Sequence, residues 1–120
     1  GTATLSAPIA LVLGSVLNCA IVTVSDGASI ATNAALANTF TVTLSGNRTL
    51  ANPTNLVSGS TYIWQVTQDA TGTRTLAYGS AFKWAGGVAP TLSTAANAVD
   101  VITSVCVGAN LNSVISKGFA

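Results

Sequence analysis

Histidine, glutamate and methionine are absent from this chain, and only 6% of its 120 residues are charged. The first two absences empty most of the catalytic repertoire. A serine or threonine nucleophile needs a base within reach, and only Lys83 and Lys117 remain for that role, with no Ser-x-x-Lys spacing in a supporting context. Glycoside hydrolysis needs two carboxyls about 5–10 Å apart. The acids here are Asp26, Asp69 and Asp100, each in or beside a turn or strand end, and nothing in the sequence pairs them. Without histidine or a close cysteine pair there is no metal-ligand spacing. Gly86-Gly87 is followed by neither the helix nor the lysine of a phosphate loop. The expectation is a non-enzyme with no cofactor and no metal.

Clustered positive charge is also lacking. Two arginines and two lysines are spread from Arg48 to Lys117, for a net charge of +1. Nucleic acid and anionic membranes both require concentrated basic charge, so neither is an expected partner. The longest apolar run, Ala7–Leu13, is broken by Gly14-Ser15. It falls well short of the roughly 20 residues that span a bilayer, and no basic residue precedes it as a secretory signal would require. No membrane insertion is expected. The chain starts at Gly1 without methionine, which fits either a removed initiator or a piece of something longer. Only two cysteines occur, Cys19 and Cys106. They read either as small buried hydrophobes or as a disulfide joining the first core strand to a late one, which would contribute about 4–5 kcal/mol in the chain-entropy model.

What remains is apolar: 49% of the residues are hydrophobic, against a charged fraction far below the usual ~25%. That combination is the opposite of the disordered signature. The surface must be covered by Ser, Thr, Asn, Gly and Ala, or by other protein. So little charge does not keep copies apart, and self-association follows. Residues 1–18 are small and apolar without clear alternation. They read as an N-terminal arm or lead-in strand, with Ile9, Leu11 and Leu13 as the docking side chains. Residues 19–120 read as a single β domain.

Alternation with a period of two marks the strands. Cys19–Ser25 alternates up to the turn at Asp26-Gly27. In Thr39–Leu44, Phe40, Val42 and Leu44 face one way and three threonines the other. Arg48–Leu50 is a short strand ended by Asn52-Pro53. Gly59–Tyr78 reads as a hairpin: Tyr62, Trp64 and Val66 alternate with Ile63, Gln65 and Thr67, then Asp69 and Gly72 supply turn chemistry, then Arg74–Tyr78 alternates again. Asp69 and Arg74 are placed to clip that turn as an ion pair. Phe82–Trp84 is a brief strand, Pro90–Asn97 a loop, and Ala98–Val107 a strand apolar on both faces. A last strand covers Asn112–Lys117. Short strands with Gly, Asn and Ser turns indicate an all-β, antiparallel β-sandwich, jelly-roll-like, of about eight strands. Thr39–Leu44, Thr61–Thr67 and Val99–Val107 are its expected central strands.

Four stretches carry a family resemblance. They are Gln68-Asp69-x-Thr71-Gly72-x-Arg74-Thr75-Leu76, Gly46-Asn47-Arg48-Thr49-Leu50-x-Asn52-Pro53, Ala89-Pro90-Thr91-Leu92-Ser93-Thr94 and Ala98-Val99-Asp100-Val101-Ile102. Together, over roughly Asp26 to Ala120, they resemble a β-sandwich module of tail fibres and other virion proteins of tailed bacteriophages. The resemblance implies a homotrimer at the virion surface or tail, made in the bacterial host cytoplasm, where a disulfide would form late. It implies other virion proteins as partners, and a host cell-surface glycan or protein as the target.

Aromatic side chains are the candidates for contact. Tyr78 and Trp84 adjoin Gly-rich loops, where a flat ring among Asn and Thr side chains can stack on a sugar. Asp69, Thr71 and Thr73 in the turn are the polar candidates. The opposing reading makes Tyr78, Phe82 and Trp84 core plugs, since Phe82 and Trp84 share a face with Lys83 opposite. Trp64 reads as core. Two functions follow: a tail fibre or receptor-binding module, or a capsid decoration or head-fibre protein that docks through its N-terminal arm.

Overall fold

The computed structural model describes residues 20–119. Nine strands occur among them: β1 (Ile21–Thr23), β2 (Ser29–Ile30), β3 (Thr39–Leu44), β4 (Arg48–Leu50), β5 (Thr61–Gln68), β6 (Leu76–Tyr78), β7 (Phe82–Trp84), β8 (Val99–Val107) and β9 (Asn110–Phe119). A single 3-10 turn follows β7 at Ala85–Gly87. The strands form one six-stranded sheet, ordered β1-β3-β5-β8-β9-β7, and one three-stranded sheet, ordered β2-β4-β6. The arm with Ile9, Leu11 and Leu13, and the cysteine Cys19 of the expected disulfide, lie outside the described residues. Cys106 is fully buried, and its thiol donates to the Gly108 carbonyl at 3.4 Å.

The chain is all-β as expected, but the pairing is mixed. From β1 to β7 it steps from one sheet to the other at every strand. Each round trip is one coil, and equivalent strands of successive coils pair in parallel: β1 with β3, β3 with β5, β2 with β4, β4 with β6. Antiparallel pairing is confined to β5–β8 and β8–β9. The expected antiparallel jelly roll is therefore corrected to a two-sided coil extended by a hairpin. β3, β5 and β8 are interior strands, as their patterns indicated.

The expected hairpin over Gly59–Tyr78 does not form, because β5 and β6 lie in different sheets. Gln68 explains the difference. Its buried side-chain oxygen accepts from Arg74 N–H at 2.9 Å, while its Nε2 donates to the carbonyls of Arg74 and Ser93 at 2.8 and 2.9 Å. A hairpin would pair the Arg74 backbone groups with the backbone of the opposing strand. Here a side chain meets them, and the strand that follows is free to cross to the small sheet.

The core lies between the sheets. Phe40, Val42 and Leu44 of β3, Tyr62, Trp64 and Val66 of β5, Ile30 of β2 and Leu50 of β4 all point into it. The parallel register places Phe40 beside Trp64 and Val42 beside Val66, with the Phe40 and Trp64 rings stacked at 5.7 Å. Full burial of each large apolar side chain contributes about 1.5–3 kcal/mol. Trp64, fully buried as expected, also needs a partner for its indole N–H. Thr32 Oγ1, between β2 and β3, accepts from it at 3.0 Å.

The outward face of the large sheet is nearly uncharged. Ile21, Thr39, Ile63, Thr103 and Val114 make one row across it, and Thr61, Val105, Asn112 and Lys83 another. Val114 and Phe119 are each 52% exposed there.

Thr32→Val would keep the volume at this buried site and remove the acceptor. The orphaned indole N–H should cost about 1–3 kcal/mol, read as a lower urea midpoint by tryptophan fluorescence, with Thr32→Ser close to wild type. An unchanged midpoint for Thr32→Val would show that the bond does not contribute.

Candidate binding site

The chain leaves β6 and enters β7 through a tight turn at Gly79, Ser80 and Ala81. Asn52 of the preceding coil holds it: its Oδ1 accepts from Ala81 N–H at 2.8 Å and its Nδ2 donates to Ser80 Oγ at 3.2 Å. Gly79 N–H donates to the Leu50 carbonyl at 2.8 Å. A Cβ at position 79 would collide with Asn52 backbone and side chain, so the turn requires glycine there.

That turn brings Tyr78 and Trp84 together, as the sequence suggested. Their ring centroids are 4.5 Å apart. Phe82 stacks on Trp84 at 6.2 Å and meets Trp64 edge-on at 5.3 Å. A continuous run of rings thus leads from the core outward, as the core-plug reading expects of Phe82 and in part of Tyr78 and Trp84. Tyr78 and Trp84 are half-buried against the core, yet both line surface hollows. Tyr78 Oη and Trp84 Nε1 are buried and have no hydrogen-bond partner among the described residues. Burial pushes the Tyr78 hydroxyl up to about 12, and the nearby Asp100 charge adds to the shift.

Trp84 lines three hollows, two of which also reach Pro90. The first, of about 270 Å³, is bounded by Trp84, Val88, Pro90, Ser113 and Ile115. The second, of about 620 Å³, runs along β6 and is walled by Leu76, Tyr78, Phe82, Trp84, Pro90 and Thr91, with Lys83 as its one charged lining residue. Both are uncharged otherwise. Val88, at 76% exposure, is the most open large apolar side chain of the region.

Asp69, Thr71 and Thr73 are not part of either hollow. They hold the arch between β5 and β6. Asp69 Oδ1 accepts from the N–H groups of Thr71 and Gly72 at 3.1 and 3.0 Å. The Asp69 carboxylate pairs with Arg74 at 2.8 Å, the expected clip. That pairing, first, and the two N–H bonds hold the Asp69 carboxyl below the usual carboxylate range. Thr73, with a φ of 63°, donates through N–H to the Thr94 carbonyl at 2.8 Å. The Asp69 carboxylate and the Thr71 and Thr73 N–H groups are engaged inside the fold, while the Thr71 side chain is exposed.

The sequence reading missed a second clip of the same kind. Arg48 Nε donates to Asp26 Oδ1 at 2.8 Å and Arg48 Nη2 to Oδ2 at 3.0 Å, and Ser45 N–H donates to Oδ2 at 3.2 Å. Arg48, first, then Ser45, hold Asp26 down at about 2. Asp100 is buried and accepts from Ser93 and Gly118 N–H groups at 2.7 and 3.0 Å. All three carboxylates are therefore engaged with protein groups. Among the described residues no cluster of ligating side chains could hold a metal ion, and no helix is long and apolar enough to cross a membrane.

Residues 23–111 match the model of a protein family described as "Putative phage tail fibre C-terminal domain". No curated protein and no solved structure matches the chain.

The two clips set an acid dependence. Asp26 and Asp69 have carboxyls more acidic in the fold than when unfolded. Their contribution is present above the ordinary value of 3.8 and is lost as pH falls toward about 2. Urea midpoints should hold from neutral pH down to about 4 and then drop. Asp26→Asn should lower the neutral midpoint and flatten part of that acid limb. An acid limb identical to wild type would show that the pair does not act.

Proposed function

The chain belongs to the phage tail fibre C-terminal domain family and is a structural component of the virion tail, and we propose that it is the part of the fibre that touches the host. The observation carrying this reading is Trp84 with its uncharged hollow. An indole backed by Phe82 and Tyr78 cannot collapse inward, and Val88 and Pro90 on the loop after β7 frame its open side. Such a surface suits a neutral group of the cell envelope, either a sugar face stacked on the ring or an apolar side chain of a surface protein. The Asp69–Thr73 arch, already occupied by its own hydrogen bonds, is left out of the contact.

Affinity at one such site is weak, and copy number compensates. We read the fibre module as a homotrimer associated with other virion proteins. The large sheet supports this: its outward face offers apolar and threonine side chains with Lys83 as its charged residue, which suits burial against identical faces. Several sites carried together raise avidity without any new contact. The family match favours this tail location over capsid decoration.

Phage carrying Trp84→Ala or Val88→Lys should adsorb to host cells at least about tenfold more slowly, with particles intact. Val88 is exposed, so its replacement leaves the core alone and separates contact from folding. Normal adsorption by both variants would remove the hollow from the contact surface. Light scattering on the isolated chain should give the mass of three copies, and Val105→Lys on the large-sheet face should reduce it. A monomer at tens of micromolar would end the trimer reading.

A further inference from the structure

The two sheets are unequal in a way that leaves a place for one more strand. The small sheet stops at β6, whereas the large sheet continues past β5 through β8, β9 and β7. The 620 Å³ hollow runs along β6, the last strand of the small sheet, with residues 87–91 on its far side.

The backbone of β6 is prepared for that strand. On its inner side, the Thr75 carbonyl accepts from Arg48 N–H at 2.9 Å and Gly79 N–H donates to the Leu50 carbonyl at 2.8 Å. In a parallel ladder alternate residues address opposite neighbours. Odd-numbered positions here face β4, so the N–H and C=O of Leu76 and Tyr78 face the hollow. Among the described residues no backbone partner meets them there. An unpaired strand edge flanked by apolar pockets is what strand addition uses, with main-chain bonds giving affinity and pockets giving selectivity.

We propose that the free edge of β6 receives residues 7–13 of a neighbouring copy as a fourth strand of the small sheet. The segment Ala7-Pro8-Ile9-Ala10-Leu11-Val12-Leu13 is wholly uncharged, and Ile9, Leu11 and Leu13 fall on one face of an extended strand. That matches a hollow walled by Tyr78, Phe82, Trp84 and Pro90. The arm precedes β1, at the opposite edge of the large sheet from β7, and the donor is taken to be a second copy. Each copy gives one strand and receives one, a heterologous contact that can close into a ring. The inference rests on the multimeric reading above but not on host contact.

The test uses the full chain with a photo-crosslinking residue in place of Ala77, an exposed side chain on β6. Equal amounts of ¹⁴N- and ¹⁵N-labelled protein are mixed, irradiated and mapped by mass spectrometry. Crosslinks should join position 77 to residues 7–13 of the other isotope. Leu11→Asp should abolish them and speed amide exchange at Leu76 and Tyr78 by at least tenfold. Crosslinks only within one isotope would place the chain's own arm in the hollow and overturn the exchange. Crosslinks elsewhere, or unprotected Leu76 and Tyr78 amides in the assembled protein, would overturn strand addition itself. Adsorption by the Trp84 and Val88 variants is scored separately, so either reading can fail alone.

Discussion

Every passage of this chain from one sheet to the other takes backbone N–H and C=O groups out of the ladders, and buried groups of that kind must find partners. The arches meet this demand in part with side chains. Gln68 serves both backbone groups of Arg74 in the β5–β6 arch and the carbonyl of Ser93 beyond β7. Asn47 Oδ1 accepts from Thr75 N–H at 3.0 Å, linking one arch to the next. Asn33 Oδ1 accepts from Ala35 N–H at 3.0 Å and from Asn55 Nδ2 at 2.8 Å. Asn52 holds the turn that places Tyr78 beside Trp84. The coil, the core and the aromatic run all depend on these neutral amides. A change at Asn52 would reach the candidate site without touching it.

Charge is spent on the same task. Four of the seven charged residues form the Asp26–Arg48 and Asp69–Arg74 pairs, one on each of two arches, and Asp100 accepts two backbone N–H groups. That leaves Lys83 and Lys117 as charges with no such role. A large sheet face without like-charge repulsion, and hollows whose one charged lining residue is Lys83, follow directly from this allocation. The proposed self-association and the proposed contact with neutral surfaces both draw on it.

Strand existence was legible in the sequence. The Arg48–Leu50 and Phe82–Trp84 segments coincide with β4 and β7, and the alternation around Trp64 correctly placed it in the core. Pairing was not legible. Alternation says which residues share a face and nothing about which strand lies alongside. The Gln68–Arg74 segment carries turn chemistry compatible with a hairpin or an arch. The choice is made by Ser93 and Thr94, some twenty positions on, whose carbonyls accept from Gln68 and Thr73. The same limit split the candidate site. Tyr78 and Trp84 flank a short turn, so local sequence sufficed to join them. Asp69 meets Arg74 as the spacing indicated, whereas Thr73 N–H meets the carbonyl of distant Thr94, which the local sequence does not reveal. Asn52 announced no more than a strand end, since its role depends on a turn one coil later.

A coil of this kind has no intrinsic stop, because each end presents strand edges to the next coil. The chain limits this in two ways. β1, β2 and β7 are only two or three residues long, and short edges template poorly. The β8–β9 hairpin then separates β5 from β7, with Ser104 and Ser113 hydrogen-bonded at 2.7 Å in its buried face. The large sheet is thereby turned out of the coil, while the small sheet ends at β6 among the described residues. Unlimited stacking requires both sheets to continue in step, and here they do not: past β5 the large sheet adds β8, β9 and β7, and the β6 edge lies beside Tyr78 and Trp84.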